Sequence, residues 1–112
     1  MKAMEIDLRD AIVAITGGGR GIGLATARAF AKRGATVYLG DIDVDAAQRA
    51  AASIGEPATA IPLDVTSRES VDSFVAAILN TADRIDVMVN NAGIMPTGRF
   101  LDESDELTSS PA

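Results

Sequence analysis

The sequence predicts a three-layer α/β fold in which helices cover both faces of a doubly wound parallel sheet. Four short apolar or β-branched segments alternate with three segments of helical periodicity, in the order β-α-β-α-β-α-β. Strands that alternate with helices pair in parallel, because a tight hairpin cannot join two parallel strands. The 112 residues are enough for one domain and not for two.

The first strand and the first helix flank a glycine-rich turn. The segment AIVAI at 11–15 is apolar without alternation, which is typical of a strand that is covered on both faces. The alanine-rich segment at 24–33 predicts a helix that packs closely on the sheet, and Gly34 is well placed to end it. The segment TVYLGD at 36–41 is rich in β-branched and aromatic residues and predicts the second strand.

The middle of the chain predicts a helix and a short strand. Either Asp43 or Asp45 can cap a helix over about 44–53. The segment at 58–65 predicts the third strand, and Pro62 favours a position at the edge of the sheet because proline cannot donate a ladder hydrogen bond.

The third helix has the clearest amphipathic pattern. Thr66 and Glu69 match a capping box at its start. The apolar residues behind them follow the i, i+3, i+4 spacing: Val71, Phe74, Val75, Ile78 and Leu79. The segment at 85–90 predicts the fourth strand, and the segment at 99–112 is polar and acidic with no convincing element.

Composition and charge exclude several classes of function. The formal net charge is −6, and no cluster of Lys or Arg would attract a nucleic acid. The chain has no cysteine and no histidine, so we expect no disulfide and no metal site. Its start, MKAMEIDLRD, is charged where a signal peptide is apolar, and no apolar run is long enough for a membrane span. We expect a soluble, cytoplasmic protein that does not bind a membrane.

The order strand, glycine turn, helix predicts an anion site, since the free N–H groups of a helix N-terminus favour negative charge. Gly17, Gly21 and Gly23 give the spacing G-x-x-x-G-x-G. This spacing is neither the G-x-G-x-x-G dinucleotide pattern nor the P-loop pattern, which ends in Lys and Ser or Thr. The alternative is a glycine loop that only connects strand to helix.

Asp41 favours a dinucleotide ligand. It ends the second strand, where a carboxylate can accept hydrogen bonds from the adenosine ribose and would repel a 2′-phosphate. The alternative is that Asp41 only caps the next helix. Arg20 argues the other way, because a guanidinium in the turn could bind an extra phosphate. We expect NAD as the cofactor, with NADP the less favoured choice.

The sequence resembles the short-chain dehydrogenase/reductase family. The resemblance is carried by TGGGRGIG at 16–23, Asp41, LDVT at 63–66 and NNAG at 90–93, in family order. It implies a Rossmann-type fold with strand order 3-2-1-4, left incomplete here. It also divides the chain into an NAD(P)-binding half-domain at 1–98 and a tail at 99–112.

The resemblance also implies a set of cofactor-binding residues. In that set the glycine turn holds the pyrophosphate, Asp41 the ribose, and Asp64 and Val65 the adenine, while Asn90 steadies the central strands. The full set is Gly17, Gly19, Arg20, Gly21, Ile22, Gly23, Asp41, Asp64, Val65, Asn90, Ala92 and Gly93. For Asn90 and Asn91 the alternative is ordinary turn chemistry.

No catalytic residue is assigned. Family resemblance implies a Ser and a Tyr-x-x-x-Lys pair, but the one tyrosine, Tyr38, lies in the second strand and is followed by Ile42 where the Lys would be. Our interpretation is a truncated, cofactor-binding half of an oxidoreductase that transfers hydride between a nicotinamide and an alcohol or carbonyl substrate, inactive by itself. The alternatives are a non-catalytic dinucleotide-binding or oligomerisation module, and a non-functional fragment.

The three predicted helices are also too few to cover both faces of the predicted sheet. If the first two helices lie on one face, the third covers the other almost alone. We therefore expect strands one and four to be partly bare, with the edge of the fourth strand open to pairing in an oligomer.

Overall fold

The structure, a computed structural model, describes residues 7–91 and contains a four-stranded parallel sheet of order β3-β2-β1-β4. This confirms the predicted α/β class and strand order. The predicted site residues Ala92 and Gly93, and the predicted tail at 99–112, lie outside the described residues. The elements are β1 (Ile12–Thr16), α1 (Gly21–Lys32), β2 (Thr36–Asp41), α2 (Val44–Ile54), β3 (Ala58–Pro62), α3 (Arg68–Ala82) and β4 (Val87–Asn90).

One face of the sheet is covered by α1 and α2. Val13 and Ile15 of β1 and Leu39 of β2 are fully buried there, in one cluster with Ala27 of α1 and Ala50 of α2. Small alanine side chains let both helices lie close to the strands, as the alanine-rich sequence predicts. The turn between β1 and α1 thereby comes close to the end of β2.

The other face is covered by α3. Phe74 and Ile78 are fully buried against Ile12 and Ala14 of β1 and against Tyr38 of β2. The expectation that β1 would be partly bare is therefore wrong: none of its residues is more than 8% exposed. Strand β1 lies between β2 and β4, and the bulky side chains of Phe74 and Ile78 pack on the face of β1 that α1 and α2 leave open. The first three residues of β4 are half-buried.

The start of β4 is joined to β1 by charged groups. Asp86 Oδ2 accepts a hydrogen bond from the Ile12 amide at 2.7 Å, and Arg84 donates to the Asp10 carbonyl at 2.7 Å. The Ile12 amide, and to a lesser degree Arg84, hold the pKa of Asp86 below its ordinary value of 3.8. The ionised carboxylate therefore contributes to the docking of β4 at neutral pH.

The third helix is capped differently from the prediction. Ser67, not Thr66, is its N-cap, and the Ser67 hydroxyl accepts from the Ser70 amide at 3.1 Å. The Thr66 hydroxyl instead donates to Asp64 Oδ1 at 2.6 Å, so it is not available to the helix. For α2 the structure selects Asp43 as the cap, because its Oδ1 accepts from the Ala46 amide.

The other differences concern the ends of elements. Helix α1 begins at Gly21 rather than at 24, so part of the glycine turn is helical. Strand β3 ends at Pro62 rather than at 65, and it lies at the edge of the sheet, as Pro62 predicts. Strand β4 begins at Val87 rather than at 85. Within residues 7–91, no helix is both long enough and apolar enough to cross a membrane.

Candidate functional site

The glycine turn lies at the carboxyl ends of β1 and β2. The amides of Gly17 and Gly18 both donate to the carbonyl of Gly40, at 2.7 and 3.2 Å, which fixes the turn against β2. Gly17 (φ +70°) and Gly21 (φ +58°) both have the left-handed backbone that favours glycine. Local conformation therefore explains these two glycines.

Packing against other parts of the protein explains two more glycines. A Cβ at Gly19 would lie 2.8 Å from Asp41 Oδ2 and 3.0 Å from the Ala46 Cβ. A Cβ at Gly23 would overlap the carbonyl oxygen of Gly17. A Cβ at Gly21 would meet no atom within 4 Å, so that side of the backbone is open.

The N-terminus of α1 differs from those of the other two described helices. Asp43 caps α2 and Ser67 caps α3, whereas the side chain of Arg20, the N-cap residue of α1, makes no capping hydrogen bond. Its N-cap residue, Arg20, has an extended backbone and directs no side-chain acceptor to the first turn. The amide groups of that turn carry the positive end of the helix dipole, so the start of α1 suits an anion.

Asp41 connects the glycine turn to the start of α2. Its Oδ2 accepts from the Gly19 amide at 3.0 Å, and its Oδ1 accepts from the Asp43 amide at 3.0 Å. The side chain is held in one position by two backbone donors, and the residue is only half-buried. A carboxylate held in this way is preorganised to accept further hydrogen bonds from a ligand.

A cleft of about 300 Å³ opens beside Asp41. It brings together predicted site residues from three parts of the sequence. Its other lining residues were not among the predicted site residues, and one of them, Ile42, is 71% exposed. A single exposed residue such as Ile42 does not alter the hydrophobic periodicity of the sequence, so periodicity could not reveal it. The cleft is lined by Gly17, Asp41, Ile42, Leu63, Asp64, Val65 and Thr66.

Asp64 gives the cleft a second carboxylate. Its Oδ1 accepts from both the amide and the hydroxyl of Thr66, at 3.0 and 2.6 Å. These hydrogen bonds, that of the hydroxyl first, hold the pKa of Asp64 below its ordinary value of 3.8. Of the described residues that line the cleft, two are carboxylates, Asp41 and Asp64, and none is Lys or Arg, so the cleft suits a ligand that donates hydrogen bonds.

Arg20 and Ile22 are exposed beside the cleft rather than within it. The Arg20 guanidinium lies 2.6 Å from Asp43 Oδ2, and its side chain is 70% exposed. Ile22 is 74% exposed on the first turn of α1. The structure thus brings Gly17, Asp41, Asp64 and Val65 together and leaves Arg20 paired with another residue.

Asn90 lies at the end of β4, directly beside Thr16 of β1. The Thr16 hydroxyl lies 3.1 Å from Asn90 Oδ1 and accepts from the Asn91 amide at 2.9 Å. Thr16 is fully buried, so this contact ties the ends of the two central strands together. The sequence did not predict a role for Thr16, because its neighbours in sequence are all glycine or apolar.

Comparison with known proteins identifies the family. A model of the family described as short chain dehydrogenase matches residues 11–110. The chain belongs to this family. Similarity to the short-chain dehydrogenase/reductase proteins therefore covers nearly the whole sequence, which confirms the resemblance carried by the four motifs.

Two curated relatives show the extent of the similarity. The chain is 46% identical to a sorbitol dehydrogenase of Cereibacter sphaeroides over 91 residues, which cover 81% of this chain and 35% of that protein. It is 43% identical to a galactitol 2-dehydrogenase of Agrobacterium fabrum over 102 residues, which cover 88% of this chain and 40% of that protein. The matched part thus spans about two fifths or less of these relatives.

A solved structure shows the same fold. The 3-ketoacyl-(acyl-carrier-protein) reductase of Brucella melitensis, crystallised in complex with NADH, superposes with a TM-score of 0.75 at 41% sequence identity. The superposition covers 78% of this chain and 36% of the reductase. The described sheet and its helices therefore have the arrangement found in a short-chain dehydrogenase/reductase structure.

Proposed function

We propose that this chain is the NAD-binding part of an oxidoreductase that transfers hydride between a nicotinamide coenzyme and an alcohol or carbonyl substrate. The observation that carries the proposal is the cleft in which Gly17, Asp41, Asp64 and Val65 meet, next to the uncapped start of α1. One part of this site suits an anion and the other suits hydrogen-bond donors. A dinucleotide presents both, since it has a pyrophosphate and an adenosine.

Each part of the coenzyme has a matching group in the site. The pyrophosphate would bind the amides of Gly21, Ile22 and Gly23, with the open side of Gly21 allowing close approach. The adenosine ribose would donate to Asp41, and the exocyclic amine of adenine would donate to Asp64. Val65, with Ile42 and Leu63, gives the cleft an apolar wall for the base.

The nicotinamide ring would lie toward the ends of the central strands, where Thr16 and Asn90 hold β1 and β4 together. Ala92 and Gly93 follow Asn91 in the sequence and would border the ring. The bound coenzyme supplies the hydride acceptor or donor. The protein groups named here bind and orient the coenzyme and move no proton.

Charge favours NAD over NADP. Asp41 would meet the ribose hydroxyls, and a 2′-phosphate placed there would face an anchored carboxylate. Two like charges about 5 Å apart repel by roughly 1–3 kcal/mol at the dielectric constants of a protein surface. Such repulsion corresponds to at least several-fold weaker binding of NADP.

The catalytic proton transfer is assigned to groups that this sequence does not include. Tyr38 is 5% exposed and packs in the core against α3, and Ile42 occupies the fourth position after it. The chain matches about two fifths or less of its dehydrogenase relatives, and the remaining part would supply the catalytic side chains and choose the substrate.

That remaining part of the protein would also add to the sheet at the edge of β4. A second copy of the chain could cover the same edge. The absence of cysteine fits a cytoplasmic location.

A titration of the 112-residue chain with NADH and NADPH tests the proposal, with nicotinamide fluorescence as the readout. We expect saturable binding of NADH that is tighter than binding of NADPH. No saturable binding up to millimolar NADH by a folded protein would contradict the proposal and favour a fragment without this function.

Two substitutions at one position give a matched test of the pyrophosphate site. Asn and Asp both tolerate the left-handed conformation of Gly21, and the side chain would enter open space. We expect Gly21→Asp to bind NADH at least about tenfold more weakly than Gly21→Asn, because only Asp adds a negative charge beside the pyrophosphate. If both variants bind NADH as tightly as the wild type does, the pyrophosphate lies elsewhere.

A further inference from the structure

Arg20 is the cation within the glycine turn, and its charge is already paired. Its guanidinium Nη2 lies 2.6 Å from Asp43 Oδ2, across the gap between the glycine turn and the start of α2. The pair joins two loops at the mouth of the site. Without this contact, an exposed guanidinium beside the ribose position would be suited to bind a phosphate with two parallel hydrogen bonds.

The position of Asp43 is set by the fold rather than by Arg20. Its Oδ1 accepts from the Ala46 amide at 3.0 Å as the N-cap of α2, and its own amide donates to Asp41 Oδ1 at 3.0 Å. Its side chain is 40% exposed, against 70% for Arg20. The carboxylate is therefore preorganised, and the flexible Arg20 side chain is the partner that adapts.

We propose that Asp43 is a coenzyme specificity residue, which turns Arg20 away from the ribose 2′ position and neutralises its charge. The inference rests on the proposed function, since it concerns the same adenosine site. Asp41 acts directly at the ribose, whereas Asp43 acts through Arg20. Together they leave a 2′-phosphate with one carboxylate that repels it and no free cation in the cleft lining.

Asp43→Asn separates the charge of Asp43 from its structural role. Asn caps a helix about as well as Asp, so the hydrogen bond to the Ala46 amide can persist while the partner of Arg20 loses its charge. We expect NADPH to bind about five- to tenfold more tightly, the range of an exposed charge-assisted hydrogen bond, and NADH affinity to change by less than about twofold. Asp43→Ser, which also caps, is the second variant if Asn impairs folding.

Two controls decide whether Arg20 is responsible for the tighter binding of NADPH. Asp45→Asn removes an equal charge from the first turn of the same helix, at an exposed position that is not paired with Arg20. We expect it to leave both affinities as in the wild type. In an Arg20→Gln background, Asp43→Asn should no longer tighten NADPH binding, because no guanidinium is released.

The possible outcomes separate this inference from the proposed function. An unchanged NADPH affinity in Asp43→Asn, an equal gain in Asp45→Asn, or a gain that persists with Arg20→Gln would each overturn the role of Asp43 while leaving NADH binding intact. A wild-type chain that binds neither coenzyme would overturn both proposals. The expected pattern is tighter NADPH binding in Asp43→Asn that requires Arg20.

Discussion

Asp41→Asn is the substitution that tests the ribose assignment in most detail. It keeps the size of the side chain and removes its charge. The Asp41 carboxylate accepts one hydrogen bond on each oxygen, from Gly19 and from Asp43. Asn has only one acceptor oxygen, so one of these two amides loses its partner. Because the site is half-buried, we expect the free energy of unfolding to fall by about 1 kcal/mol.

The effect on binding follows from the charge. A hydrogen bond from a ribose hydroxyl to an ionised acceptor contributes about 1.5–3 kcal/mol, so its loss weakens NADH binding by about 10- to 100-fold. The half-exposed position of Asp41 favours the lower part of that range. For NADPH, removing a like charge about 5 Å from the phosphate gains roughly 1–3 kcal/mol. The ratio of the two affinities should therefore change by about 100-fold.

The assay is fluorescence titration of both coenzymes against the wild type and the variant, each first shown to be folded by circular dichroism. Glu56→Gln is the control, since it removes an equal charge at an exposed turn before β3, at the other end of the sheet. We expect this control to bind as the wild type does. An equal loss of NADH and NADPH affinity in Asp41→Asn would refute the assignment of Asp41 to the ribose.

Three further predictions concern stability. Phe74→Ala removes the largest fully buried side chain of residues 7–91 and should lower the free energy of unfolding in urea by about 3–5 kcal/mol; a loss below about 1 kcal/mol would contradict the packing of α3. Gly23→Ala should lower the melting temperature, because overlap with the Gly17 carbonyl outweighs the helix propensity of Ala; a raised melting temperature would contradict it. Because the pKa of Asp86 is lowered on folding, its contribution is present above the unfolded pKa, about 3.8, and is lost as pH falls through the folded value. Acid titration of Asp86→Asn should therefore show a smaller loss of stability below about pH 4 than the wild type; equal losses would contradict the contact with Ile12.

The sequence predicted those parts of the fold that depend on local pattern. The apolar run of β1, the spacing of Val71, Phe74 and Ile78, and the glycine turn each indicate one element, and all of these elements are present. Pro62 also predicted the edge position of β3. These sequence patterns predict structure well because each residue type in them directly favours one backbone conformation or one degree of burial.

Features that depend on contacts between distant residues could not be predicted. The Thr66 hydroxyl is taken by Asp64, so Ser67 caps α3, although both residues fit a cap by type. The burial of β1 depends on the reach of Phe74 and Ile78 across the sheet. The pairing of Arg20 with Asp43 joins two loops that are distant in sequence.

The sequence predicted which residues form the candidate site better than it predicted how those residues are arranged. Asp41 stood out because a carboxylate ends the predicted second strand, and Asp64 because it belongs to the LDVT motif that carries the family resemblance. Ile42 gave no such signal, since a single exposed apolar residue is common on protein surfaces. That Gly19 is required by the close approach of Asp41, rather than by a ligand, could be learned only from the structure.

The measurement that tests the account most directly is an NMR titration with NADH. The chain is labelled with the heavy isotope of nitrogen, and its backbone amide resonances are monitored as NADH is added. If the start of α1 binds the pyrophosphate and Asp41 the ribose, the amides of Gly19, Gly21, Ile22 and Gly23 and those around Asp41 will shift together and saturate. Resonances of these amides that stay unchanged while NADH binds elsewhere, such as the groove beside Arg28 and Lys32, would contradict the account.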